Sequence, residues 1–142
     1  MVKEISFEER RQGNRRDLLP MLGESFSGIY LWHARRILLG RAAVIAAERN
    51  RVPTGLAMMK MLAPGVGYVY YLAISRAERQ RGIGGHLLDQ CMSRLVSQGA
   101  LAVLASITGG NLPSERLVAS RGFYACRFRD LAGRFGAAAA FR

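Results

Sequence analysis

From Ile83 to Leu95 the apolar side chains recur every fourth residue, at Ile83, Leu87, Cys91 and Leu95, with Leu88 and Met92 filling the same stripe. Asp89, Gln90, Ser93, Arg94 and Ser97 fall on the other side, so the spacing predicts an amphipathic helix. A QGA turn (98–100) ends it. The flanking runs have a different rhythm. VGYVYYLAIS (66–75) and LAVLASIT (101–108) are short, nearly continuous apolar stretches, the pattern of strands buried on both faces. A helix of this length between two such strands predicts a crossover unit with the strands parallel.

Upstream, VKEISF (2–7) alternates and predicts a first strand. Asn14 with Asp17 three residues on resembles a helix start, and Pro20 makes the helix within RRDLLPMLGESF (15–26) short or kinked. GIYLWHARRILL (28–39) predicts a second helix with Ser25 or Ser27 as its cap. RAAVIAAE (41–48) and TGLAMMKML (54–62), joined by RNRVP, read as a hairpin, and APG (63–65) as the next turn. Downstream, Pro113 in a first helical turn and Gly122 just past the last bracket another helix. FYACRF (123–128) and the Ala-rich 136–142 complete the strands. The expectation is one α/β domain over residues 1–142, a mixed sheet of six to seven strands flanked by about four helices.

Charge adds a partner question. The chain has 21 basic against 10 acidic residues, a formal +11, and every basic residue except Lys3 and Lys60 is arginine. Such a field favours polyanions or phosphorylated ligands. A nucleic-acid surface interleaves basic residues with exposed aromatics. Here the arginines are spread from Arg10 to Arg142, so nucleic acid is a possible partner and not the favoured one. No apolar run approaches the roughly 20 residues of a membrane span, and the N-terminus lacks a signal-peptide centre, so the reading is a cytoplasmic protein. Cys91 and Cys126 have no metal-ligand spacing and read as small core residues; no metal is expected.

The stretch RQRGIGGHLL (79–88) concentrates the candidate chemistry. First-turn N–H groups of a helix lack partners, and the helix dipole favours negative charge there. Gly82, Gly84 and Gly85 let backbone approach phosphate oxygens, while Arg79 and Arg81 bring forked donors to the same mouth. A dinucleotide fingerprint fails on G-x-G-G-H-L and on the lack of an acidic residue near position 102; a P-loop fails because no lysine follows Lys60.

Arg79-Gln80-Arg81-Gly82-Ile83-Gly84 instead resembles the [QR]-x-x-G-x-[GA] signature of the GCN5-related N-acetyltransferases, the acetyl-CoA-dependent GNAT family. Leu72-Ala73-Ile74 matches that family's L-x-V strand before the loop. Asn111, Leu117, Gly122 and Phe123 match its N-x-x-A-x-x-L-Y-x-x-x-G-F block, with Ser114 in place of the alanine. The resemblance implies acetyl-CoA as cofactor, its pantetheine arm paired with the backbone of Leu72, Ala73 and Ile74, and its pyrophosphate on the amides of Gln80 to Gly85. Asn111 and Ser114 join the cofactor set by position. The Ile74 N–H would stabilise the oxyanion as a neutral primary amine attacks in a ternary complex.

Two positions depart from the family. Val118 stands where many members have a tyrosine acid, leaving Ser114 or Tyr124 as alternatives. Tyr68 stands where histone-type members have a glutamate base, with Glu24, Glu48 and His33 as other candidates. Tyr68 and Tyr70 share one strand face and Tyr71 takes the other unless a bulge intervenes. The acceptor falls to the first two helices and the hairpin loops; Tyr30, Trp32 and His33 could line it, although helical spacing reads Trp32 as core, and His86 as a cap or solvent-facing. The acceptor amine belongs to a small molecule or a protein, and a homodimer is compatible with the family. The alternatives are an acyl-CoA-binding module without turnover and a basic, nucleic-acid-associated protein.

Overall fold

The computed structural model describes residues 5–79, 81–106 and 112–125. Within them a five-stranded sheet runs in the order β1-β2-β3-β4-β5: Ser6–Arg10, Ala43–Arg49, Val52–Ala63, Val66–Ile74 and Ala102–Ala105. The helices are α1 (Leu19–Ser25, entered through a 3-10 turn at Arg16–Leu18), α2 (Gly28–Leu39), α3 (Ile83–Ser97) and α4 (Leu112–Ser120). The first four strands pair antiparallel and β4 pairs parallel with β5, as the crossover pattern requires. Of the two further expected strands, 136–142 lies outside the described residues. So does the part of 123–128 from Cys126 onward, and Phe123–Ala125 are not in a strand.

Period-two alternation divides the core. Ile45, Ala47, Ala57, Met59 and Val69 pack under the buried stripe of α3, together with Leu117 and Val118 of α4. Val44, Ala46, Leu56, Met58 and Ala73 face Leu22, Ala34 and Leu38 of α1 and α2. Helices therefore cover both faces. α3 ends in a Schellman turn: Gly99 sits at φ 100° and the Ala100 N–H reaches back to Leu95 C=O at 2.9 Å.

Several local expectations gave way to tertiary partners. Residues 2–4 of the first expected strand lie outside the described residues; β1 spans Ser6–Arg10, past the expected end at Phe7. The helix start expected at Asn14 is displaced: a 3-10 turn begins at Arg16 with Arg15 as its N-cap, and the Asp17 carboxylate accepts from the Arg10 guanidinium at 2.8 Å. Ser27 occupies the N-cap of α2 without a side-chain cap bond, and Ser25 Oγ accepts from Arg79 instead. Trp32 is not core: it is 57% exposed on the outer face of α2, with Arg36 stacked over its ring at 5.0 Å.

Cys91 is fully buried among the α3 stripe residues, and burial pushes its thiol up to about 12. Little thiolate exists at neutral pH, and reagents cannot reach it. Cys91 is expected to resist a thiol-specific reagent in the native protein and to react fully in denaturant; peptide mass mapping at pH 8 checks this.

Candidate active site

β5 pairs with β4 only from Val66 to Val69, whereas β4 continues along β3 to Ile74. Among the described residues the β5 side of Tyr70–Ile74 thus has no ladder partner, which leaves a gap in the pairing there. The hydrogen-bond phase decides which groups face it. The Ser75 N–H donates to Thr54 C=O at 2.9 Å, and Ile74 lies opposite Gly55. Antiparallel alternation then turns Ala73 toward Leu56 of β3 and points the N–H and C=O of Leu72 and Ile74 at the gap. The expectation for Ala73 is corrected: its backbone belongs to the β3 ladder.

The start of α3 borders the same gap. Gly82, its N-cap, adopts φ 85°, which L side chains rarely tolerate, and among the described residues no side chain caps the helix. The first-turn amides of Ile83, Gly84 and Gly85 are left to an outside acceptor. A Cβ on Gly84 would lie 3.4 Å from Leu117, 3.7 Å from Leu72 and 3.9 Å from Ile74, so Gly84 lies against the apolar side chains where β4 meets α4. The Arg121 guanidinium covers Gly85 and is held by Asp89 at 3.1 and 3.2 Å, a cation at the helix start that no motif indicated.

The two signature arginines do not both point at that turn. Arg79 donates from Nε to Ile74 C=O at 3.1 Å and from Nη2 to Glu24 C=O and Ser25 Oγ, tying the end of α1 to the open edge of β4. Arg81 is 63% exposed and lies 3.7 Å from Glu78, which Arg49 also holds. Ile83 is a buried core residue. Ser114 is half-buried in the first turn of α4 and Tyr124 is 70% exposed beyond its end. Gln80 and Asn111 lie outside the described residues.

A bulge rearranges the tyrosines. Met58 pairs with Tyr71 but Met59 with Val69, so Tyr70 is an extra residue in β4. Tyr70 and Tyr71 both pack on the α1–α2 side, joining Tyr68, whose ring meets Tyr70 edge-on at 4.7 Å. Tyr68 donates to Ser106 Oγ at 2.8 Å. Tyr71 packs edge-on against Phe26 and shares a 2.7 Å hydrogen bond with Nδ1 of His33 on α2. Burial, then the nearby Tyr68 and Tyr30, raise the Tyr71 phenol above its ordinary range. Sequence reasoning missed this Tyr71–His33 pair because the bulge that brings Tyr71 to the helix face has no local signal. Glu48, a candidate base, is bound to Arg10, and the Glu24 carboxylate accepts the Arg76 N–H at 3.1 Å. His86 is exposed, its ring 6.2 Å from that of Phe7.

The acetyltransferase (GNAT) family model matches residues 9–123. The chain belongs to that family. No curated protein matches this acetyltransferase-family chain. Among solved structures it is similar to an aminoglycoside N-acetyltransferase, AAC(6')-Iy, in complex with CoA, at 15% identity over 89% of this chain and 92% of that one, TM-score 0.74. It is also similar to a ribosomal-protein-alanine N-acetyltransferase from Brucella melitensis (15%, 87% and 95%, TM-score 0.70). A transcriptional regulator from Bacillus halodurans shares the fold too (15%, 87% and 95%, TM-score 0.72). At these identities the likeness shows the fold alone. No helix among the described residues is long and apolar enough to cross a membrane.

Proposed function

We propose that this GNAT-family chain is one catalytic domain that transfers an acetyl group from acetyl-CoA to a primary amine. The observation that carries the reading is the juxtaposition of an unpaired β4 edge with an uncapped, glycine-built helix start. These fit a ligand that is amide-like along one part and anionic at another. The gap-facing groups of Leu72 and Ile74 suit an extended amide arm, as an added strand does. The first-turn amides from Gly82 to Gly85 suit the diphosphate, with Arg81 and Arg121 near. Acetyl-CoA supplies an acetyl thioester there. Arg79 must release the Ile74 carbonyl as the arm pairs, while its Nη2 remains on Glu24 C=O and Ser25 Oγ.

The Ile74 N–H acts as the oxyanion donor; such preorganised donors contribute about 3 kcal/mol. Tyr68, three residues before Tyr71 in β4, has its hydroxyl on Ser106, and we assign it to lining the aromatic face. The proton leaves the acceptor ammonium through Tyr71. Its oxygen takes the ammonium proton while its own passes to His33 Nδ1, and the exposed imidazolium releases a proton to solvent. No acid is required for the leaving thiol, because a thiol of pKa roughly 8.5 departs as thiolate, so neither Val118 nor the exposed Tyr124 limits the reaction.

Thiol release from acetyl-CoA across an amine panel tests the reading; tight CoA binding with no thiol release by any amine would select the binding-module alternative. Tyr71→Phe is expected to lower kcat about 10- to 100-fold at neutral pH. The deficit shrinks as pH rises, because the amine then arrives already neutral. A uniform deficit across pH would remove Tyr71 from proton transfer.

A further inference from the structure

The acceptor side of the gap is made by the α1 end, α2 and the tyrosine face of β4, and its charge is one-sided. From Ser25 to Ala47 the chain has no Asp or Glu, yet it contains Arg35, Arg36 and Arg41. These three and Arg76 form no ion pair among the described residues. Most described carboxylates are engaged elsewhere: Glu8, Asp17 and Glu48 share Arg10, Glu9 pairs with Arg94, Glu78 with Arg49 and Arg81, and Asp89 with Arg121. Glu24, the described carboxylate at the α1 end, is already hydrogen-bonded to the Arg76 N–H. Arg36 stands one helical turn from His33, the residue that meets Tyr71.

Resting on the proposed transferase activity, we propose that the acceptor is an amine borne on an anionic carrier, a phosphate or carboxylate close to the reacting nitrogen, and not a polycation. A polyamine or aminoglycoside brings several positive charges to a wall that offers unpaired guanidiniums and no free acidic cluster among its described residues. An anionic carrier finds the forked donors of Arg36, whose guanidinium stacks over Trp32 one turn from His33, and keeps its ammonium beside Tyr71 and His33. The aromatic face argues the other way, since tyrosine rings attract cations. The net field of the unpaired arginines outweighs it, because Coulomb interactions act beyond contact whereas ring quadrupoles do not.

Four two-carbon amines that differ only at the far end test this: O-phosphoethanolamine, β-alanine, ethanolamine and ethylenediamine. Thiol release and binding to the CoA-loaded protein, the latter by chemical-shift titration, are measured for each. The expected order of kcat/KM and of affinity is phosphate, carboxylate, hydroxyl, ammonium, with about 10-fold per unit of carrier charge at low salt and near-equality in high salt. The phosphate and carboxylate arms identify which anion is preferred. Arg36→Glu is expected to compress or invert the series. A flat or cation-first order overturns the proposal even if every amine is acetylated. The expected order of binding without thiol release upholds it and overturns turnover instead.

Discussion

Replacing Gly84 by glutamate is expected to weaken CoA binding at least about 100-fold, the equivalent of losing one or two charge-assisted hydrogen bonds. Gly84 is in the first turn of α3, and its missing Cβ faces Leu72, Ile74 and Leu117 where β4 meets α4. A carboxylate grown from that point meets those apolar side chains first, and it brings bulk and negative charge to the turn whose amides the diphosphate is proposed to use. The matched variants separate causes. Gly84→Ala places a methyl at ordinary contact distances, 3.4 Å and beyond, so it should fold at least as well and bind CoA with little loss. Gly84→Gln has the bulk without the charge and should fall between. Calorimetric titration with CoA reads all three, and circular dichroism reports folding. A folded Gly84→Glu protein with wild-type affinity would falsify the diphosphate assignment, and with it the proposed use of α3.

The largest effect on stability is expected from Arg10→Met. Arg10 is the last residue of β1, 5% exposed, with its guanidinium on Asp17, Glu48 and Glu8. Through these contacts one side chain joins the edge strand, the start of the α1 segment and β2. Its main-chain oxygen in turn receives Arg15, which also caps the last carbonyls of α2 through Leu38 and Gly40. Hydrogen bonding to Asp17 and then Glu48 raises the already high pKa of Arg10 further, against the opposing effect of burial. The guanidinium therefore stays charged at every accessible pH. Removing it strands Glu48, itself only 17% exposed, beside an apolar stem. Loss of one partner of a buried pair costs about 3 kcal/mol, or a fall in melting temperature on the order of 10 °C for a chain of this size. Arg10→Lys keeps the charge but lacks the fork, so it should recover only part. A change in midpoint within a degree of wild type for Arg10→Met would mean the cluster is solvated and carries no net stability.

These two arginines bear on how the +11 charge is read. From the sequence it is a featureless excess spread along the chain. In the fold, Arg10, Arg15, Arg49, Arg79 and Arg121 tie elements together, and the remainder includes Arg35, Arg36 and Arg41, which form no ion pair among the described residues. Spacing cannot distinguish these uses, because the partners are distant in sequence: 38 positions separate Arg10 from Glu48, and 55 separate Arg79 from Glu24.

The sequence by itself determined the element order from β1 to α4, the helix stripe from Ile83 to Leu95, the parallel pairing of β4 with β5 and the family, because local periodicity and glycine placement are properties of neighbouring residues. Only the tertiary structure decided that Ala73 turns away from the gap, that Trp32 is exposed and that Tyr71 reaches His33. Each of these depends on the phase of a ladder, the side on which a helix docks, or a one-residue bulge against Met58 and Met59. Such relations exist only between segments, since adding one residue to a strand reverses which face every later side chain takes.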